Sequence, residues 1–473
     1  MCCLLKSWLL AGGYTTILPY PFMDTTIFPV PYTARFLPTE KGSEYERYYK
    51  KNYAHKECAY HAVSPLCRLS AQYYLILNAA KICKIIRLSK SALGPAITAE
   101  FYFDISQEYY NFDVSYFLNK NTTDMNIMKE LWGKTQCGKE IYLYTLKNEK
   151  GAYVQLSSVG AGIVSVVVPD KDGNLADVVL GYPKSESYFG DGPCAGKVPG
   201  RYANRIALGK FELDGKEYTL PINNGPNHLH GGPEGFQNKV WESREHEGGV
   251  EFLYYSEDGE MGYPAALKAV ARYEWTEENE LRLTLTAESD APTVINLTNH
   301  AYFNLNGEGN GDILGHYLRL NASEYLPTDQ TQIPLGESQP VAGTPMDFVN
   351  EKPIGQDIKA DFEPLKIGKG YDHCWVIDGA EPGQLQECAE LYAPESGRVL
   401  SIHTTQPGVQ VYTGNWLSGC PEGKNGHVYE DYTGVAIECQ NYPDAPNKAD
   451  YPSPVLRPGE VYEQAIIFAF SIR

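Results

Sequence analysis

The chain has 473 residues, 43% of them hydrophobic and 21% charged, a balance that suits a large folded core and excludes a disordered chain. Its 40 Lys and Arg stand against 59 Asp and Glu, and the net charge of −19 excludes a general nucleic-acid binder, which needs a basic surface to displace phosphate counterions. No run of about 18 or more apolar residues occurs, so no membrane-spanning helix is expected.

Residues 1–127 differ from the rest. They hold 13 Lys and Arg against 10 Asp and Glu, so all of the net acidity lies beyond them. Their apolar residues come in clumps, as in Tyr73-Tyr-Leu-Ile-Leu, with neither a helical nor an alternating period. The opening Met-Cys-Cys-Leu-Leu-Lys-Ser-Trp-Leu-Leu makes a poor export signal, because Lys6 breaks its short apolar stretch and no basic lead precedes it. The segment reads either as a small accessory domain or as an extension foreign to the native protein, such as one from a start site set too far upstream. The second reading is favoured, since local pattern and global fold disagree there. The 11 cysteines are odd in number and contain no C-x-x-C pair, which points to a reduced, cytoplasmic setting without a disulfide framework.

From Met128 onward the pattern becomes regular. Tyr142–Asn148 alternates as a strand, Glu149-Lys-Gly-Ala is a turn, and the alternation resumes at Tyr153. Ile163–Val168 follows, then Lys210–Leu213 before Asp214-Gly215, a hairpin turn. Ala269–Trp275 and Leu281–Ala287 read as neighbours in one sheet, and Glu463–Phe470 closes the chain as another strand. With 36 Tyr and 44 Gly, many short strands and almost no long amphipathic helix, residues 128–473 are expected to form one large, all-β antiparallel sandwich whose long loops can build a site.

Polar residues concentrate in four stretches. Gly200-Arg-Tyr-Ala-Asn-Arg-Ile-Ala precedes Asn227-His-Leu-His-Gly-Gly. Then come Asn296-Leu-Thr-Asn-His-Ala-Tyr-Phe-Asn-Leu and Gly370-Tyr-Asp-His-Cys-Trp. The last runs from Thr404-Thr-Gln-Pro-Gly-Val-Gln-Val-Tyr-Thr-Gly-Asn to Gly434-Val-Ala-Ile-Glu-Cys-Gln-Asn-Tyr-Pro-Asp. Glu438 follows apolar strand residues, where a buried carboxylate would be raised in pKa and suited to accept a proton; the same pattern also allows it to point outward. His300, set beside aromatics, reads as a proton donor or as a hydrogen-bonded core residue. His228 and His230 are two apart and would share a strand face, but no further ligand pattern completes a metal site. Arg201 and Arg205 suit hydroxyl or carboxylate contacts or surface ion pairs, and Asp372 and Gln410 could grip vicinal hydroxyls. No nucleotide-binding fingerprint is present.

In wording and order these stretches resemble the aldose 1-epimerase family, the galactose mutarotases. The matching motifs are Gly200-Arg-x-x-Asn-Arg-Ile-Ala, Leu229-His-Gly-Gly, Thr298-Asn-His-x-Tyr-Phe-Asn-Leu, Tyr371-Asp-His, Thr404-Thr-Gln-Pro-Gly-Val-Gln-x-Tyr-Thr-Gly-Asn and Glu438-x-Gln-Asn-x-Pro-Asp, spread from about residue 130 to the C-terminus. The resemblance implies a β-sandwich with the sugar in a cleft across one sheet. It also implies Glu438 as catalytic base, His300 as catalytic acid, and His230 assisting at the ring oxygen or a hydroxyl. Asn204, Arg205, Asp372 and Gln410 would bind substrate, His228 would be structural, and no metal would take part. A free aldose is the implied substrate, its α and β anomers exchanged by ring opening and closure. No cofactor is implied, with calcium as a structural cation in some relatives, and neither nucleic acid nor membrane is an expected partner of this monomer or weak homodimer. The alternatives are an epimerase of hexose 6-phosphates, which would need more basic residues than Arg201 and Arg205, and a non-catalytic sugar-binding sandwich. A glycoside hydrolase would want two flanking carboxylates rather than a carboxylate and an imidazole.

Overall fold

Antiparallel strands account for nearly all the regular structure of the computed structural model, which describes residues 126–473. The expected extension, residues 1–127, lies outside the described residues except for its end, because the first strand, Asn126–Lys134, begins just ahead of residue 128. Among the described residues the one α-helix is the short Glu363–Gly368, and no helix is long and apolar enough to cross a membrane.

Three sheets make the body. The first runs in sequence order through Asn126–Lys134, Glu140–Lys147, Tyr153–Ser157, Gly162–Pro169 and Leu175–Asp177. The second has nine strands, ordered Glu242–His246, Gly249–Ser256, Leu267–Trp275, Glu280–Ser289, Tyr462–Ile472, Arg398–Thr404, Gln386–Tyr392, Tyr317–Leu320 and Lys352–Pro353. The third has six: Tyr302–Phe303, Val435–Gln440, Gly408–Tyr412, Asp372–Val376, Glu324–Leu326 and Gln339–Pro340.

The alternation read from the sequence decides which residues enter the core. In Leu267–Trp275 the residues Leu267, Ala269, Ala271, Tyr273 and Trp275 are buried while Lys268 and Arg272 are exposed, as a period of two requires. That strand pairs with Glu280–Ser289, so the neighbouring strands expected there do adjoin. The hairpin at Asp214-Gly215 also forms, with positive φ of 52° and 79° at the two turn residues. The inner face of the nine-stranded sheet meets the first sheet at Tyr144–Phe252, ring centroids 5.8 Å apart, and the six-stranded sheet at Phe303–Phe468, 5.5 Å apart. Each large apolar side chain buried in this shared core contributes about 1.5–3 kcal/mol.

The six-stranded sheet therefore has one face in this core, and on the other a smaller apolar cluster with Tyr302 and Ala436 adjoins the polar residues. Val435, Ile437 and Cys439, with Val409, Val411 and Trp375 beside them, belong to the core. Ala436, Glu438 and Gln440 must point the other way. On that second face the pairing register sets side chains in rows. Glu438 lies opposite Gln410, which lies opposite Cys374. The adjacent row is Tyr302, Ala436, Tyr412 and Asp372.

Candidate active site

All seven residues expected to form the site come together over this second face. Glu438 and Gln410 are side by side by register, and Gln410 Nε2 donates to Asp372 Oδ1 at 2.7 Å. His300 enters from the segment before Tyr302, and its Nε2 is 3.4 Å from Glu438 Oε1. The His230 ring stands nearly perpendicular to that of His300, centroids 5.3 Å apart. Arg205 approaches Asp372 at 3.9 Å, closing the group.

The His230 and Asn204 positions depend on unusual backbone. Both residues are left-handed, with φ of 52° and 65°, a sparsely populated conformation that tends to cluster at functional sites. They hold each other: His230 N–H donates to Asn204 O, and Asn204 N–H donates to His230 Nδ1, both at 3.1 Å. Asn204 Oδ1 in turn accepts the N–H of Arg205 at 2.8 Å. The Leu-His-Gly-Gly wording has a steric cause. Gly231 has φ of 76°, and a Cβ there would lie 1.7 Å from the carbonyl oxygen of Gly200, so only glycine permits the turn that carries His230.

His300 is clamped through its backbone. Its N–H donates to Lys197 O and its carbonyl accepts from Gly196 N–H, both at 2.9 Å, and Asn299 Nδ2 donates to Gly196 O at 2.7 Å. The clamping loop is locked by an ion pair between Lys197 and Asp191 at 2.7 Å, with the lysine fully buried. The ring of His300 lies against Tyr302, centroids 5.0 Å apart, and near Tyr412 at 6.4 Å.

Charge is unfavourable around Glu438, His300 and His230. Burial, reinforced by the Asp372 carboxylate and opposed by Arg205, holds the Glu438 carboxyl well above the usual carboxylate range. Burial pushes the His300 imidazole down to about 4. His230 is held well below its ordinary value by burial first, then by His300 and Arg205. Glu438 Oε2, His300 Nδ1 and Gln410 Oε1 are buried without a hydrogen-bond partner in the protein. A buried polar atom without a protein partner is open to a water, a ligand or a chemical role.

His230, His300 and Glu438 bring three ligand-type atoms within 4.8 Å of one another, a set that by residue type could hold a metal. The tautomer argues otherwise. His230 Nδ1 already accepts a backbone N–H, so the neutral ring carries its proton on Nε2 and offers no lone pair there. It offers a hydrogen-bond donor instead.

His228 is structural, as expected: Nδ1 bonds Pro221 O at 2.6 Å and Nε2 bonds the Tyr263 hydroxyl at 2.8 Å. Arg201 is buried away from the cleft, donating to Pro264 O, Ala265 O, Thr293 Oγ1 and Ser256 Oγ. It is therefore no binding residue, and Arg205 is the guanidinium in the group. Sequence reasoning missed Gln332, whose amide lies between Arg205 and Asp372, and the Asp191–Lys197 lock. Lys197 had a signal, a lone cation in the apolar stretch Ala195-Gly-Lys-Val-Pro. Gln332 had none, because it sits in an ordinary polar turn.

The family model for aldose 1-epimerase matches residues 142–469. The galactose mutarotase of Homo sapiens is 44% identical over 319 residues, 67% of this chain and 91% of that protein. The aldose 1-epimerase of Escherichia coli K12 is 38% identical over 336 residues, 70% of this chain and 96% of its own length. Among solved structures, an aldose epimerase homologue from C. elegans superposes with a TM-score of 0.64 at 33% identity, covering 70% of this chain and 98% of that one. A galactose 1-epimerase from Lactobacillus acidophilus gives 0.64 at 29% identity, covering 74% and 99%. The fold, the family match and these relatives agree: the chain belongs to the aldose 1-epimerase family, enzymes that isomerise sugars at the anomeric carbon.

Proposed function

We propose that the substrate is a free, unphosphorylated hexose such as galactose or glucose, that Glu438 and His300 are its base and acid, and that no cofactor takes part. The observation that carries this reading is the 3.4 Å approach of Glu438 Oε1 to His300 Nε2 in a buried setting. The O1 hydroxyl and the ring oxygen share one carbon, so a carboxylate and an imidazole this close can reach both at once. In ring opening Glu438 takes the O1 proton while His300 gives a proton to the ring oxygen, and the C1–O5 bond breaks. The aldehyde turns about C1–C2. In closure the proton returns from Glu438 to the carbonyl oxygen and His300 recovers its own as the bond reforms.

The pair thus holds one proton throughout. It begins as carboxylate plus imidazolium and passes through carboxyl plus imidazole. Burial opposes both charges and favours the second form, so bringing the pair to the first form is part of the barrier to ring opening. His230 Nε2–H would steady the oxygen on which charge develops, and Asn204, Arg205, Asp372 and Gln410 would hold the other hydroxyls. Against a phosphorylated substrate stands the charge on that wall: Arg205 is offset by Asp372 and Arg201 is committed to the interior. Polarimetry of freshly dissolved α-galactose tests the proposal. Glu438→Gln should lower the rate by about 10²–10⁴-fold, and a near-normal rate in a folded variant contradicts it.

A further inference from the structure

We propose that Gln332 is a specificity-determining spacer, resting on the sugar-binding roles proposed for Arg205 and Asp372. Its Oε1 accepts from Arg205 Nη2 at 2.5 Å and its Nε2 donates to Asp372 Oδ2 at 2.6 Å. The guanidinium and the carboxylate are 3.9 Å apart across it. Left alone, these two groups would close into a forked, charge-assisted pair. Such a pair would commit two guanidinium N–H donors and a lone pair on each carboxylate oxygen to each other, and would turn both groups away from a sugar.

With the amide inserted, each group stays oriented and unsaturated. Arg205 directs Nε to Asn224 Oδ1 at 3.1 Å and Nη2 to Gln332, keeping its other N–H donors for a ligand. Asp372 takes one N–H on each oxygen, from Gln410 and Gln332, and keeps lone pairs for hydroxyl donors. The wall then presents a donor edge beside an acceptor edge, which fits two neighbouring uncharged hydroxyls, one accepting and one donating. Gln332 is a positioning residue here, acting through its two neighbours.

The backbone is held for this purpose without help from the amide. Gln332 has φ of 64°, unusual for glutamine. The turn beneath it is fixed by Asp329 Oδ1, which accepts from Thr331 N and Ile333 N, and by Asn227 Nδ2, which donates to Thr331 O. Replacing the Gln332 side chain therefore leaves the turn its own supports.

The test measures kcat and KM for wild type, Gln332→Leu and Gln332→Glu with galactose, glucose and their monodeoxy analogues, alongside melting temperatures. Gln332→Leu should raise KM by about tenfold, the value of one hydrogen bond to a charged group, with kcat within about twofold. It should also narrow the discrimination against the deoxy analogue that lacks the gripped hydroxyl. Gln332→Glu keeps the acceptor for Arg205 but faces Asp372 with a second carboxylate, so its KM should rise at neutral pH and recover on acidification. An unchanged KM in both variants, or a fall in kcat with KM constant, overturns the inference. A wild type that fails to interconvert anomers would instead overturn the functional reading beneath it.

Discussion

Arg205, Gln332, Asp372 and Gln410 form an unbroken run of hydrogen bonds, whereas one strand away Glu438 and His300 each keep a buried atom with no protein partner. Gln410 marks the border, its Nε2 in the run and its Oε1 unpartnered opposite Glu438. Burial moves both groups of the chemical end far from their ordinary proton affinities. The proposed recognition end is held by hydrogen bonds within the protein. The proposed chemical end instead keeps buried atoms without a protein partner.

Mutations at the two ends should separate accordingly. The largest effect is expected at the chemical end: Glu438→Gln and His300→Asn should each lower kcat by about 10²–10⁴-fold with small changes in KM. Because they act as one unit, the double variant should lose little more than the worse single one. At the recognition end Asp372→Asn should raise KM by about ten- to a hundredfold and change kcat less, as expected for lost hydrogen bonds to a charged group. Similar losses in kcat at both ends would erase the distinction.

Stability should move the opposite way at the chemical end. An unfolded Glu438 ionises near its ordinary pKa, whereas the folded carboxyl ionises higher, so over that interval the folded state binds more protons and stability falls as pH rises. Glu438→Gln should therefore melt a few degrees above wild type at pH 8, with the gain shrinking towards pH 4. A variant that melts lower at pH 8 would show that the buried carboxyl stabilises the fold. The smallest effect is expected outside both regions: removing residues 1–120, which precede the unit Asn121–Arg473, should leave activity unchanged, and an inactive or insoluble product would make the extension an integral part.

What could be read from the sequence follows the physical origin of each feature. Strand alternation is local, so Ala269–Trp275, its neighbour Leu281–Ala287 and the Asp214-Gly215 hairpin were legible, as was the sandwich class. Glu438 stayed open by alternation alone, because a period of two cannot say which face is dry, and the family resemblance supplied the choice. Arg201 and Arg205 look alike in sequence, yet one is buried among carbonyl oxygens and the other faces the cleft, a difference set by loops distant in the chain. Gln332 and the Asp191–Lys197 lock depend on long-range contacts, which no local pattern records.

The account rests on one proton shared between Glu438 and His300, and the pH profile of kcat/KM for α-galactose, corrected for spontaneous mutarotation, tests it most directly. The predicted profile is level through neutrality. It falls on the acid side as the pair takes a second proton, with His300 held down to about 4, and on the alkaline side as the proton kept by the raised Glu438 carboxyl is lost. Activity that switches off through the ordinary histidine range near about 6.5, or an alkaline limb that persists unchanged in Glu438→Gln, would contradict it.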